Sequence, residues 1–100
     1  MNIHSAEADF SDAIRLNSHN AYIYYNRGNL HAGRNELSKA IDDYTIALKI
    51  DNRLAEAYYN RGIARAKSGN KQAGIQDLSK AGELGLYDAY SVIKRLNKAK

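Results

Sequence analysis

A pentapeptide written twice constrains this chain more than any other feature. Tyr24-Tyr25-Asn26-Arg27-Gly28 returns as Tyr58-Tyr59-Asn60-Arg61-Gly62, displaced by 34 residues. A fixed period of this length marks an array of supersecondary units, none of which can bury its apolar face alone. The displacement extends well beyond the five letters. Ala13, Ala47 and Ala81 obey it, as do Leu16, Ile50 and Leu84, then Phe10, Tyr44 and Leu78, and Ile41 with Ile75. Charges obey it too, with Asp9, Asp43 and Asp77 in one series and Arg27, Arg61 and Arg95 in another. The chain is one unit written about three times, opening and closing partway through a copy, as expected of a segment excised from something longer.

Within each unit the apolar spacing is helical. From His4 to Leu16, Ala6, Phe10, Ala13 and Ile14 recur at intervals of three and four, so one face of a helix is apolar while Asp9, Asp12 and Arg15 point elsewhere. Asn20 is placed to cap a second helix, 21–33, with Tyr24 and Gly28 on one side and His31 either beside them or on the helix surface. Gly28 removes a side chain where two helix axes must approach, a reason to accept about 1 kcal/mol of lost helix propensity. Asn35 suits a left-handed turn. A third helix, 36–50, carries Leu37, Ala40, Ile41, Tyr44, Ala47 and Leu48, and Asp51-Asn52 stops it.

The fourth helix, 54–67, repeats the second with Ala57, Tyr58 and Ala64, ending on Ser68-Gly69-Asn70. The fifth, 71–84, has Gly74 and Gly82 where the earlier copy has Ala40 and Leu48, and is expected to be the softest; Gly85 is its natural C-cap. Asp88 is expected to cap a last helix, to about 98, with Tyr90, Val92, Ile93 and Leu96 on one side and a polar outer face. That reads as a helix capping the array.

Composition sets further bounds. One hundred residues suit one domain that buries about 60–65% of its unfolded surface. With no cysteine, disulfides and thiolate metal sites are excluded, and with no proline, helices can run uninterrupted. No apolar run approaches the roughly 18 residues of a membrane span, and Glu7, Asp9 and Asp12 break any signal-peptide core near the start. Fifteen Lys and Arg against eleven Asp and Glu give +4. A nucleic-acid partner needs such cations gathered on one face. They are scattered, apart from Lys94, Arg95, Lys98 and Lys100, which suit the end of a helix.

These residues resemble the tetratricopeptide repeat, whose period is 34 and whose helix-turn-helix is built on an aromatic, a Gly, an Ala and a second aromatic. Tyr24, Gly28, Ala40, Tyr44 and Ala47 match in the first full copy, and Tyr58, Gly62, Gly74, Leu78 and Ala81 in the second. Asn52 stands where the family usually has proline, His31 and Arg65 where it often has tyrosine, and Gly74 where it has alanine. The resemblance implies an all-α, right-handed superhelical solenoid of about six antiparallel helices. Its parts would be a half repeat (1–17), full repeats (21–54 and 55–88) and a C-terminal capping helix (89–100).

It also implies a use. In this family the first helix of each repeat lines a concave groove, and the positions that usually meet a ligand fall here on Tyr22, Tyr25, Asn26, Asn29 and Gly33, then Glu56, Tyr59, Asn60, Ile63 and Lys67, with Tyr90, Ile93, Lys94 and Asn97 last. Asn side chains donate and accept for an extended peptide backbone, and Tyr rings add contact area at low entropy cost. The expected function is a protein or peptide binding module, suited to an acidic or amide-rich extended segment and part of a larger scaffold. The blander alternative makes Tyr25 and Tyr59 interhelix packing; Tyr24 and Tyr58 are assigned to the core. Some family members clamp a carboxylate with two Lys, two Asn and an Arg or Lys. Asn29, Asn60 and Lys94 fall on those positions, but Tyr25 and Tyr90 replace the two lysines.

The alternation Asp9, Arg27, Asp43, Arg61, Asp77, Arg95 suggests that each Arg bridges carboxylates in its own and the preceding repeat, fixing register. Catalysis finds little support. His4, His19 and His31 fall at an N-terminus, a loop and a helix surface, and Ser5, Ser11, Ser18, Ser38 and Ser79 lack a nucleophile motif. Adjacent Asp42 and Asp43 diverge on a helix. The chain is expected to be no enzyme and to need no metal, cofactor or small-molecule substrate. The alternative function is structural: Phe10 and Ile14 on an open half-hairpin could pair with another copy as a homodimer. The compartment is not written in the residues; a cytoplasmic one is the expectation.

Overall fold

Helix ends are where this sequence is most explicit, and a computed structural model describing residues 3–98 follows them closely. Six α-helices succeed one another: α1 (Ile3–Leu16), α2 (Ala21–Gly33), α3 (Leu37–Ile50), α4 (Ala55–Lys67), α5 (Lys71–Glu83) and α6 (Asp88–Lys98). The side chains of His4 and Ser5, and Lys100, lie outside the described residues. Asn20 caps α2 by accepting from the Tyr22 N–H, and Asn70 caps α5 by accepting from Ala73. Asp88 is the first residue of α6 rather than its cap. Among the described residues no helix is long and apolar enough to cross a membrane.

The hairpin turns repeat with the period. Asn35 has φ 58° and Gly69, 34 positions on, φ 101°. At the first turn the Glu36 N–H donates to the His31 carbonyl at 2.8 Å, and at the second the Asn70 N–H donates to Arg65 at 2.9 Å. This six-to-one bond is the Schellman closure, which satisfies helix-end carbonyls and needs a left-handed residue between. Two antiparallel hairpins result, α2 with α3 and α4 with α5; α1 packs on α2 and α6 on α5.

The stack is elongated, 42 × 25 × 19 Å. Its core lies in two successive clusters. Ala21, Tyr24, Ala47, Leu48, Leu54 and Ala57 form one, and Leu78, Ala81, Ala89 and Val92 the other, with half-buried Tyr58 packed against both. Small residues set the spacing between helices. A Cβ on Gly62 would lie 2.8 Å from the Gly74 carbonyl oxygen, and one on Gly74 2.6 Å from that of Gly62. Gly74, which local propensity marks as a weak point of α5, thus lets α4 and α5 meet backbone to backbone.

Each hairpin is also locked by an ion pair. Arg27 donates through Nε and Nη2 to both carboxylate oxygens of Asp43 at 2.9 and 2.7 Å, and Arg61 does the same to Asp77 at 2.9 and 2.8 Å. Each guanidinium also lies over the tyrosine one turn before it, 5.6 Å from the Tyr24 ring and 5.7 Å from that of Tyr58. Among the described residues neither arginine bridges a carboxylate of the preceding repeat. A bidentate fork leaves one edge free, and Arg61 uses it to donate to the Thr45 hydroxyl of the preceding hairpin at 3.2 Å.

His31 is a second correction. It is buried rather than on the helix surface, with Nδ1 2.8 Å from Glu36 and Nε2 3.7 Å from Asp43. It occupies the place that Arg65 takes beside Asp77, at 3.0 Å. A short hydrophilic edge of α2 therefore faces inward because Asp43 and Glu36 are there to receive it. Arg34 continues the chain of charges, pairing with Glu36 and reaching back to Glu7 on α1. Hydrogen bonds from Arg34 to Glu7 and from His31 to Glu36 hold both carboxyls below the usual range. On α1, Ile14 packs against the first cluster and Phe10 is half-buried, so the face expected to lack a partner is largely occupied by α2.

Two glycine substitutions separate packing from propensity. Gly74→Ala should lower stability by about 1–3 kcal/mol through overpacking against Gly62, read as a fall in Tm. Gly33→Ala, with nothing within 4 Å of the added methyl, should leave Tm unchanged or raise stability by up to about 1 kcal/mol.

Candidate functional site

The side chains that converge come from α2, α3 and α4. Tyr25 and Asn29 stand one turn apart on α2, facing Asn60 on α4, and Tyr44 rises between them from α3. Tyr44 can do so because Gly28 has no side chain: a Cβ there would lie 2.7 Å from the Tyr44 ring. The repeat therefore uses its small residue to admit an aromatic from the opposite helix. That aromatic carries a hydroxyl, and a buried hydroxyl requires a partner.

The partners form one network. Tyr44 donates to Asn29 Oδ1 at 2.6 Å, and Asn60 Nδ2 donates to the same oxygen at 3.0 Å and to the Tyr25 hydroxyl oxygen at 3.1 Å. Burial pushes the Tyr44 hydroxyl up to about 12, helped by the nearby Tyr25 and Asp43. It stays protonated and keeps donating at any physiological pH.

Counting atoms shows what is left over. Both Asn60 Nδ2 hydrogens are used, and Asn29 Oδ1 has accepted twice. The two amides are oriented as a pair, since turning either one alone would set two donors or two acceptors against each other. Among the described residues, Asn29 Nδ2 and Asn60 Oδ1 have no partner within the protein, and the Tyr25 hydrogen is free to turn outward. A donor and an acceptor are presented side by side.

They open onto a pocket of about 180 Å³. Asn29, Asn60 and Tyr44 supply its polar wall, Ala32, Leu37 and Ile63 its apolar one, and exposed Lys67 stands at the rim. Tyr22 extends the surface, its ring meeting Tyr25 edge-on at 6.3 Å, and Tyr25 lies 5.9 Å from Tyr44. A second pocket of about 320 Å³ lies between α4 and α6, against Ile63, Lys67, Val92, Arg95 and Leu96.

The remaining candidates do not join. Asn26, Glu56 and Lys94 are exposed and lie outside the hydrogen-bonded cluster, as do Gly33 and Asn97. Tyr59 and Ile93 are half-buried and pack against the second core cluster. Tyr90 rests its ring against α5 at Gly82 and is otherwise about half exposed. Tyr44 and Leu37 are the contributors that periodicity alone assigns to the core, and Ala32 carries no mark in the repeat pattern. Tyr44 had a legible signal: in the series Phe10, Tyr44, Leu78 it alone has a hydroxyl to satisfy.

The family model for the TPR repeat matches residues 28–69. No curated protein matches the chain. Among solved structures, the Arabidopsis OM64 TPR domain is 31% identical with a TM-score of 0.85, the match covering 91% of this chain and 77% of that one. The first TPR of Spaghetti (RPAP3), bound to the HSP90 peptide SRMEEVD, superposes at 0.84 with 18% identity, over 89% and 72% of the two chains, a likeness of fold alone. YrrB, a TPR protein with an unusual peptide-binding site, is 29% identical at 0.81; the match covers 87% of this chain and 46% of YrrB, so it spans less than half of that structure.

The Tyr44 hydroxyl gives a test of the network. Tyr44→Phe should cost about 1 kcal/mol, the net worth of a hydrogen bond. The contribution has a definite pH window. With its folded value raised from 10 to about 12, Tyr44 stabilises fully below pH 10, and that stability is lost as pH rises through 12. The alkaline loss of stability measured by denaturant unfolding should be smaller in Tyr44→Phe.

Proposed function

The chain belongs to the tetratricopeptide-repeat family, and from that premise we propose that it is a protein-interaction module whose α2–α4 groove binds an extended peptide segment. The observation that carries this reading is the adjacent unpaired donor and acceptor, Asn29 Nδ2 and Asn60 Oδ1. A peptide unit in an extended chain presents one acceptor and one donor, and it can meet both without distorting. Because Tyr44 and Tyr25 already hold the amides, little side-chain freedom is lost on binding, and preorganisation of this kind favours affinity.

The surroundings suggest the ligand's side chains. Ile63, Ala32 and Leu37 suit a small apolar group in the pocket, and Lys67 suits a carboxylate beside it. Tyr22 and Tyr25 add amphipathic area along the approach. Peptides are bound by RPAP3's first TPR, and YrrB has a peptide-binding site, which supports the groove as the place to look. Tyr25 and Tyr90 stand where a carboxylate clamp has lysines, so an internal segment fits this groove better than a free C-terminus.

Selection from a displayed library of random peptides, followed by calorimetry on the winners, tests the reading. Asn60→Ala should weaken a selected peptide by about tenfold or more, equivalent to about 1.4 kcal/mol. Tyr87→Ala, at an exposed position away from the groove, should leave it unchanged. Binding that survives Asn60→Ala and Asn29→Ala alike would place the peptide elsewhere.

A further inference from the structure

Where the second hairpin follows the first, the repeat departs from its own period. Arg53, in the turn between α3 and α4, stands 34 positions after His19, and Lys80, on α5, stands 34 positions after Ile46. The fold brings both cations to one place. With Asn52, Tyr58 and Leu84 they line a pocket of about 250 Å³ between that turn and the end of α5. The same positions one repeat earlier are Ser18, His19, Tyr24, Ile46 and Ile50, with no lysine or arginine among them. The pair of cations therefore belongs to this junction and is not a requirement of the repeat.

Four polar side chains border this space, and all four can donate: the Arg53 guanidinium, the Lys80 ammonium, the Tyr58 hydroxyl and the Asn52 amide. Among the described residues none of these side chains has a hydrogen-bond or ion-pair partner in the protein, and no acidic residue lines the pocket. Tyr58 is the fixed member. Its ring packs against both core clusters, with the Arg61 guanidinium 5.7 Å from its centre. No buried polar side-chain atom among the described residues lacks a partner, so the unpaired Tyr58 hydroxyl reaches solvent. The turn is held as well. The Asp51 carboxylate accepts the Arg53 backbone N–H at 3.0 Å, and Leu54, the next residue, is buried. Asp51 and Glu83, the acidic residues nearest in sequence to the two cations outside the helical ion pairs, are exposed and stand outside the lining.

We propose that this pocket binds the phosphoryl group of a phosphate monoester. Such a group carries a charge of about −1.5 to −2 on three terminal oxygens, which matches two cations and two neutral donors around one cavity. A carboxylate brings a single charge on two oxygens and would leave a cation unmatched. A free phosphate ester and a phosphorylated side chain of a partner protein present the same group, and either can enter a pocket that opens to solvent. The site is separate from the peptide groove. It shares no lining residue with the 180 Å³ pocket, and Tyr58 and Asn60, two positions apart on α4, point about 200° apart around the helix. It stands whether or not a peptide binds in the groove.

Amide NMR titration of the 100-residue chain at constant ionic strength tests it, with phenyl phosphate, a short blocked phosphoserine peptide and acetate as probes. Both phosphorylated probes should shift the amides of Asn52, Arg53 and Leu54 saturably, and acetate should bind at least about tenfold more weakly, the loss of one charged contact. Arg53→Gln and Lys80→Gln should each weaken phosphate binding about tenfold. Tyr58→Phe, which keeps the ring and its contact with Arg61, should weaken it about fivefold. Lys71→Gln, exposed at the opposite end of α5, should leave it unchanged. A phosphoserine peptide that binds more tightly than phenyl phosphate assigns the group to a partner's side chain, and equal binding of the two assigns it to a free ester. Shifts that spread over the surface cations without saturating, acetate binding as tight as phosphate, or an affinity that survives Arg53→Gln and Lys80→Gln would each overturn the proposal.

Discussion

Each hairpin closes on a two-pronged ion pair, Arg27 with Asp43 and Arg61 with Asp77, and the placement of most other side chains follows from it. An Arg fork accepts a carboxylate at one distance and one angle, so it sets how far the second helix of a hairpin is shifted along the first. The aspartates are almost fully enclosed, and a carboxylate in that position is costly unless its partner is in place. The tyrosine under each guanidinium completes the fit. Glycines allow the helices to come close enough for it: Gly28 makes room for Tyr44, and Gly62 with Gly74 brings backbones together.

That shift puts the groove where it is. With α3 held against α2, the Tyr44 hydroxyl reaches Asn29, and with α4 stacked alongside, Asn60 reaches both Asn29 and Tyr25. Three internal hydrogen bonds consume the inward-facing atoms and leave a donor and an acceptor on the surface.

Much of the fold was legible because its signals are local and repeated. The helix from Ala21 to Gly33, the left-handed turn at Asn35 and the cap at Asn20 depend on residues within a few positions of one another. What periodicity could not supply was contact between distant positions of different character. His31 reads as a surface residue because nothing near it on α2 is acidic; its partners, Glu36 and Asp43, arrive only when the hairpin closes. Gly74 reads as a defect until the Gly62 carbonyl lies against it. Around the pocket Tyr25, Asn29, Asn60, Ile63 and Lys67 come together, whereas Asn26 and Glu56 are exposed outside that cluster, and Tyr59 and Tyr90 pack against neighbouring helices. Position along a helix determines a face, not what the neighbouring helix brings to it.

The measurement that tests this account most directly is a double-mutant cycle on Arg61 and Asp77 by equilibrium unfolding, using Arg61→Met and Asp77→Asn. If the pair sets the register of the hairpin, each single replacement should cost about 2–4 kcal/mol, and the double variant should be more stable than their sum by about 2 kcal/mol or more. Single replacements that each cost under about 0.5 kcal/mol and add without coupling, as pairs on an open surface do, would contradict it.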